Sequence, residues 1–166
     1  MRAAWSIPVA SLSTLLLCLF LGRASTPPLP HQDLRFDGDR AFADLKDLVA
    51  KFGPRPAGGK RTREVAAWIR DRFEENGVDA RVSSGNVRGE PVHNTIAMFP
   101  GKGDRFLVVL GHHDSVPSAP GAEDNASAVA ALLGLARALK GRPLGLTVVL
   151  CATDAEETGG AGAELL

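Results

Sequence analysis

The sequence lacks a net charge, because its 166 residues include 19 basic and 19 acidic ones. A balanced chain has no electrostatic attraction for nucleic acid or for an anionic membrane surface. We therefore expect no nucleic-acid partner and no charge-driven capture by a membrane. With 45% hydrophobic and 23% charged residues, the composition is that of an ordinary globular protein with room for one core.

Cysteine is also scarce, with only two in the chain. Cys18 lies in the apolar amino-terminal segment, which leaves Cys151 as the single cysteine of the remaining chain. That remainder cannot form an intramolecular disulfide, so its stability must come from its core or from bound metal. Cys151 itself lies inside an apolar run, which predicts a buried thiol.

The longest apolar run, residues 7–21, is short for a membrane span. It follows Arg2 and precedes small residues at positions 22 and 24, which is the pattern of a secretory signal peptide. We expect residues 1–24 to be this leader, with cleavage after Ala24. The protein would then be secreted or periplasmic, with no stable membrane association after cleavage. The alternative is an uncleaved leader that anchors it to the membrane.

After the leader, residues 25–38 read as an extended tether with three prolines between positions 27 and 30. Hydrophobic periodicity predicts helices at 39–52, 61–76 and 126–140, and strands at 78–82, 94–99, 106–110 and 146–152. The last two strands are continuous apolar runs, which predicts burial on both faces. With a helix between them, they form a β-α-β unit. We therefore expect an α/β fold whose central sheet is mixed, mostly parallel and flanked by helices.

The end of the sequence predicts an unfinished domain. Residues 161–166 look like the opening of a helix that is too short to be stable alone. A sheet that ended at the 146–152 strand would also expose a long apolar edge. We expect residues 39–166 to be the amino-terminal portion of a longer catalytic domain, incomplete at its carboxyl end.

The candidate site residues are one histidine and several acids. Some of them follow the two central strands, and one lies just before the long helix. His112 and Asp114 are two positions apart at a strand end, so their side chains point the same way if the extended backbone continues. Asp124 lies just before the helix, and Glu156 and Glu157 follow the next strand. Mixed nitrogen and oxygen ligands with one spare carboxylate are what a hydrolytic zinc centre requires.

Three neighbouring polar residues have simpler explanations. His113 should point to the opposite strand face from His112, so we interpret it as a packing residue that becomes a ligand only if the strand bulges. Asp154 is expected in a turn or behind the ligands, and Glu123 in solvent. The whole set of charged residues could also be solvated loop ends with no metal role.

Several short stretches resemble the di-zinc exopeptidase family, which contains secreted bacterial aminopeptidases and glutaminyl cyclotransferases. They are 108–115 (VVLGHHDS), 121–127 (GAEDNAS) and 154–159 (DAEETG), with weaker support from 52–58 (FGPRPAG) and 94–97 (NTIA). Each is weak alone, but their order and separation are specific. The resemblance covers residues 42–166.

The resemblance implies a role for each candidate residue. His112 would bind one zinc, Asp124 would bridge two, and Glu157 would bind the second. Asp114 would orient His112. Glu156 would be the general base that deprotonates a water held between the metals and later protonates the leaving amine.

The family needs two further ligands, an aspartate after the double glutamate and a histidine near the end of the domain. Neither can be matched in a sequence that stops nine residues after Glu157. We therefore expect two zinc ions in a complete domain, and weak zinc binding with little hydrolysis from the 166-residue chain itself.

The function that the resemblance implies is a secreted zinc-dependent aminopeptidase acting on peptides with a free amino terminus. One alternative is a glutaminyl-peptide cyclotransferase, which uses a similar ligand set with one zinc. Another is a non-catalytic binding domain of the same fold, although such domains tend to lose ligands that are filled here. Neither substrate preference nor oligomeric state can be read from the sequence.

Overall fold

The computed structural model describes residues 34–166. The predicted leader, residues 1–24, and most of the predicted tether, residues 25–38, lie outside this part of the chain. Within residues 34–166, no helix combines the length and the apolar character needed to cross a membrane.

Two helices come first, α1 (Gly38–Phe52) and α2 (Lys60–Glu75). Helix α1 begins where the Asp37 carboxylate accepts a hydrogen bond from the Arg40 amide, and it ends at Gly53, which adopts a φ of 57°. Both helices bury apolar side chains in the core, among them Leu48, Ile69 and Phe73. The second helix packs on the sheet, whereas the first packs mainly against a later helix. Phe42 of α1 is apolar but exposed, with the Lys46 ammonium over its ring.

The sheet has four strands, β1 (Ala80–Val87), β2 (Glu90–Phe99), β3 (Phe106–His112) and β4 (Thr147–Thr153), in the order β1-β2-β4-β3. The β3–β4 pair is parallel, and the other two pairs are antiparallel. Helix α3 (Ser127–Leu139) links β3 to β4 and packs on the sheet. The predicted β-α-β unit and the mixed α/β sheet flanked by helices are therefore confirmed. Among the described strands one of the three pairs is parallel, so this part of the sheet is not mostly parallel as expected.

The β1–β2 hairpin is longer than the sequence predicts. Its turn consists of Arg88 and Gly89, whose φ angles are 51° and 88°, the backbone of a tight two-residue hairpin turn. Residues 83–87, which precede the turn, belong to β1 although their polar sequence resembles a loop. They are polar because β1 is an edge strand whose alternate residues face solvent.

The prediction that residues 106–110 are buried on both faces is wrong. Strand β3 lies at the edge of the described sheet, and four of its apolar residues are about half exposed or more: Phe106 66%, Leu107 50%, Val108 51% and Leu110 49%. The apolar edge that we expected on β4 therefore belongs to β3. Strand β4 is internal because β2 pairs with its other side.

Strand β4 matches its prediction of burial. Leu150, Cys151 and Ala152 have no exposed surface, and burial raises the pKa of the Cys151 thiol to about 12. Cys151 is a free, buried thiol as expected. The chain then forms a turn and a short helix, α4 (Ala161–Glu164).

Candidate metal centre

The carboxyl ends of β3 and β4 bring the predicted site residues to one edge of the sheet. His112 is the last residue of β3, and Glu156 and Glu157 follow β4 after Ala155, which has a left-handed backbone. Asp124 comes from the turn Ala122–Ala126, which leads into α3 and whose backbone is not helical at Asp124 and Asn125. Because β3 and β4 are parallel, their carboxyl ends are neighbours, which is where open α/β sheets keep their sites.

His112, Asp124 and Glu157 converge. One ligand atom from each of these residues lies within 4.8 Å of the others. The His112 Nε2 atom is 3.0 Å from Asp124 Oδ1 and 3.7 Å from Glu156 Oε2. An imidazole nitrogen facing several carboxylate oxygens is a suitable donor set for zinc, and the cluster is open on one side, since the Asp124 side chain is 74% exposed.

Asp114 connects the two strand ends. Its carboxylate accepts hydrogen bonds from the backbone amides of Glu156 and Glu157, both at 3.1 Å. The same carboxylate lies 3.3 Å from Nδ1 of His112. A single buried side chain therefore orients the imidazole and holds the turn that carries both glutamates. The imidazole then presents its Nε2 to the cluster.

The acidic surroundings favour a positive charge on His112. The contact with Asp114, helped by the charges of Glu156 and Asp124, raises the pKa of His112 to about 9. Burial opposes ionisation of Asp114, but hydrogen bonds from His112 and the two glutamate amides hold its pKa below the ordinary value. The metal-free site is thus a protonated imidazole among carboxylates, and a bound cation would replace that proton.

The turn that carries Asp124 is held by its own hydrogen bonds. The Asn125 side chain accepts from the Ala128 amide at the start of α3, and the Ser127 hydroxyl donates to the Glu123 carbonyl. The Ala126 amide donates to Gly121. Glu123 is exposed and does not belong to the convergent set, which agrees with the solvated position that we expected.

His113 and Asp154 lie behind the cluster. His113 is fully buried, with Nε2 2.9 Å from the His93 carbonyl oxygen, and burial lowers its pKa. The Asp154 carboxylate accepts from the amides of His93 and Ala155. Neither belongs to the convergent set, so the packing interpretation of His113 holds and the strand does not bulge to make it a ligand.

Three buried residues near the site have contacts that the sequence interpretation did not assign. Asn94 accepts from the Asp154 amide and donates to the Gly162 carbonyl. Arg55 and Ser115 are buried and bind each other's backbone. The only available signal was their place in the weaker family-like stretches 52–58 and 94–97 and at the end of 108–115.

Residues 94–166 match the model of Peptidase family M28. Among curated proteins, the uncharacterized protein YfbL of Escherichia coli (strain K12) is 40% identical over 141 residues, which is 78% of this chain and 43% of YfbL. The chain therefore spans less than half of that relative.

Two solved structures resemble the fold. The zinc aminopeptidase BSAP of Bacillus subtilis superimposes with a TM-score of 0.71 at 16% identity, over 80% of this chain and 65% of that one. The glutaminyl cyclase of Porphyromonas gingivalis gives 0.65 at 27% identity, over 75% and 47%. The resemblance to zinc exopeptidases, expected from the sequence motifs, is confirmed.

Proposed function

We propose that this chain is the amino-terminal part of a zinc-dependent aminopeptidase that removes residues from the free amino ends of peptides. The observation that carries the proposal is the convergence of ligand atoms from His112, Asp124 and Glu157 within 4.8 Å, with Glu156 beside them. The match to a peptidase family supports hydrolysis of peptide bonds as the reaction class.

The residues of the cluster fit zinc. His112 would supply a nitrogen, and Asp124 and Glu157 would supply oxygens. Asp124 would offer its two carboxylate oxygens from an exposed position. When bound, zinc would polarise a scissile carbonyl and lower the pKa of a bound water to about 7. Two ions per complete domain would need more ligands than these three, so we propose that the 166-residue chain binds zinc weakly.

The side chains have separate tasks in this proposal. Asp114 holds the His112 ring and the Glu156–Glu157 backbone in place. Glu156 is exposed and lies beside the cluster. It takes the proton from the attacking water and returns it to the leaving amine. A positioned carboxylate acting as acid and base typically contributes about 10²- to 10⁴-fold in rate.

The test begins with zinc binding to the chain, measured by competition with a chromophoric chelator. Asp124→Asn should abolish measurable binding, while the matched control Glu123→Gln, on the adjacent exposed residue, should bind as the wild type does. Glu156→Gln should keep the wild-type zinc affinity and, in the full-length protein acting on aminoacyl peptides, lose turnover by about 10²- to 10⁴-fold. Wild-type zinc binding by Asp124→Asn would contradict the site.

A second candidate is cyclisation of amino-terminal glutamine, supported by the 27% identity with the P. gingivalis glutaminyl cyclase. Products separate the two activities. Incubation with a glutaminyl peptide would give free glutamine from a peptidase, and a pyroglutamyl peptide with release of ammonia from a cyclase. A non-catalytic binding domain would give neither product and would bind peptides equally well with Glu156→Gln.

The cellular location is a further part of the proposal. The composition of residues 1–24 supports export, with cleavage after Ala24. Amino-terminal sequencing of the protein recovered outside the cell or from the periplasm should begin at Ser25. Recovery of the intact leader in the membrane fraction would favour the anchored form.

A further inference from the structure

Arg55 is the largest fully buried side chain described in this protein. It lies in the loop between α1 and α2 and carries a charge that is costly to bury. Its guanidinium donates four hydrogen bonds, all to backbone carbonyl oxygens: Nε to His113 (2.8 Å), Nη1 to Gly53 (2.6 Å) and Pro120 (2.6 Å), and Nη2 to Gly121 (2.9 Å). A planar fork of donors can serve four carbonyls at once, whereas an ammonium cannot.

Three of the four accepting carbonyls, those of His113, Pro120 and Gly121, belong to the two segments that carry the candidate metal ligands. The fourth, that of Gly53, lies in the same loop as Arg55. His113 follows His112 directly, and Gly121 is three residues before Asp124. These segments are not neighbours in the sheet, because one ends β3 and the other opens the turn before α3. The side chain of Arg55 therefore connects them at a point just behind the ligands.

Ser115 makes the connection tighter. Its hydroxyl accepts a hydrogen bond from the Arg55 amide, and its own amide donates to the Arg55 carbonyl. Gly121 has a φ of 58°, and a Cβ there would lie 2.4 Å from Ser115 Cβ, 2.6 Å from the Asp124 carbonyl oxygen and 2.9 Å from Arg55 Nη2. Ser115 and Arg55 therefore pack so closely against Gly121 that there is no room for even a methyl group at position 121.

Charge also favours Arg55 at this position. Burial lowers the pKa of Arg55, and the nearby negative charge of Asp114 counteracts it. The buried guanidinium thus has a favourable charge interaction with Asp114, the carboxylate that contacts the His112 ring.

We propose that Arg55 is a positioning residue of the metal centre. By holding residues 113–115 and 120–121 together, its guanidinium sets the separation between His112 and Asp124. This inference rests on the proposed function, since it assigns to Arg55 the geometry of the same site.

The test compares Arg55→Lys with Arg61→Lys. Arg61 is the matched control because its guanidinium also donates to backbone carbonyls of this loop, those of Phe52 and Pro54, but does not bond to the ligand-bearing segments. Arg55→Lys should lower zinc affinity by about tenfold to a hundredfold and change the visible absorption of the cobalt-substituted chain. Arg61→Lys should leave both unchanged.

A second measurement needs no metal. Amide hydrogen exchange at Ser115 and Ala126, whose amides donate to Arg55 and Gly121, should accelerate in Arg55→Lys but not in Arg61→Lys. If Arg55→Lys fails to fold, Ser115→Ala is the milder variant, and it should shift zinc affinity and exchange in the same direction by a smaller factor.

The outcomes separate this inference from the proposed function. If the wild-type chain binds neither zinc nor cobalt, the metal centre fails, and the exchange measurement still decides the role of Arg55. If the wild type binds and the folded Arg55→Lys protein has the same affinity, cobalt spectrum and exchange rates, the positioning role is overturned while the centre stands. Lower unfolding stability alone would also overturn it. If Arg55→Lys does not fold, wild-type zinc affinity and wild-type exchange rates in Ser115→Ala would also overturn the positioning role.

Discussion

Residues 106–115, which are β3 and the three residues after it, invert the usual distribution of side chains between their two ends. Residues 106–110 are apolar and about half exposed or more, except for the partly buried Val109, whereas the polar residues His112–Ser115 are buried. The buried end has hydrogen-bond partners elsewhere in the chain. Arg55 donates to the His113 carbonyl, and the Glu156 and Glu157 amides donate to the Asp114 carboxylate. The apolar end lies on a strand with no neighbour on its outer side within residues 34–166. The candidate site is therefore held together by internal hydrogen bonds, while the strand edge beside it is uncovered within the described residues.

The largest effect should come from the buried end. Asp114→Asn keeps the shape of the side chain but replaces one acceptor oxygen with a donor that faces backbone N–H groups. We expect the free energy of unfolding of the metal-free chain to fall by about 2 to 3 kcal/mol, measured by urea denaturation. The exposed Asp104→Asn is the control and should stay within about 0.5 kcal/mol of the wild type. A similarly small loss for Asp114→Asn would show that the site is not braced through this residue.

The next largest effect should be the pH dependence of zinc affinity, because protons compete with zinc for His112. His112 has a pKa of about 9 in the metal-free chain, so zinc must displace a proton below that pH. We expect zinc affinity to rise about tenfold per pH unit from 7 to 9 and to level off above 9. The charged imidazole also stabilises the metal-free fold; this contribution is complete below about pH 6.5 and is lost as the pH rises through about 9.

An NMR titration of the metal-free chain checks the cause of that dependence. The His112 ring signals should shift with a midpoint near pH 9, while His113, whose pKa is lowered by burial, should remain neutral. A His112 midpoint near its ordinary value of about 6.5 would show that Asp114 does not hold the ring as described.

The smallest effect on stability belongs to the exposed end. Val108→Lys places a charge on the uncovered edge, and we expect the free energy of unfolding to change by no more than about 0.5 kcal/mol. Self-association, measured by sedimentation velocity, should fall, because charged side chains on an edge strand discourage pairing between sheets. A loss of about 2 kcal/mol or more would mean that this face is covered in solution, and the contrast between the two ends would then disappear.

Local pattern was sufficient for the order of the elements. The apolar periodicity of α1, α2 and α3 and the apolar runs of β3 and β4 predicted each of them in place, and the β-α-β unit followed from their alternation. The hairpin strands were predicted too short, because polar residues on the open face of an edge strand resemble a loop.

For the candidate site, the sequence selected the residues and not the contacts. His112, Asp124 and Glu157 were chosen by motif, and the structure brings them together. The roles of Arg55 and Asn94 could not be read, because a buried polar residue is recognised by partners that lie far away in the chain, such as Gly121 and Gly162.

The sequence by itself determined which segments are helix or strand, and which acids and imidazole stand at the carboxyl ends of strands, because both follow from residue spacing along a regular backbone. Only the tertiary structure decided that β2 pairs with β4 and leaves β3 at the edge. It also decided that Asp114 holds the two glutamates and that Arg55 joins two distant loops. The reason is that strand pairing and buried polar contacts depend on residues far apart in sequence, which no local period records.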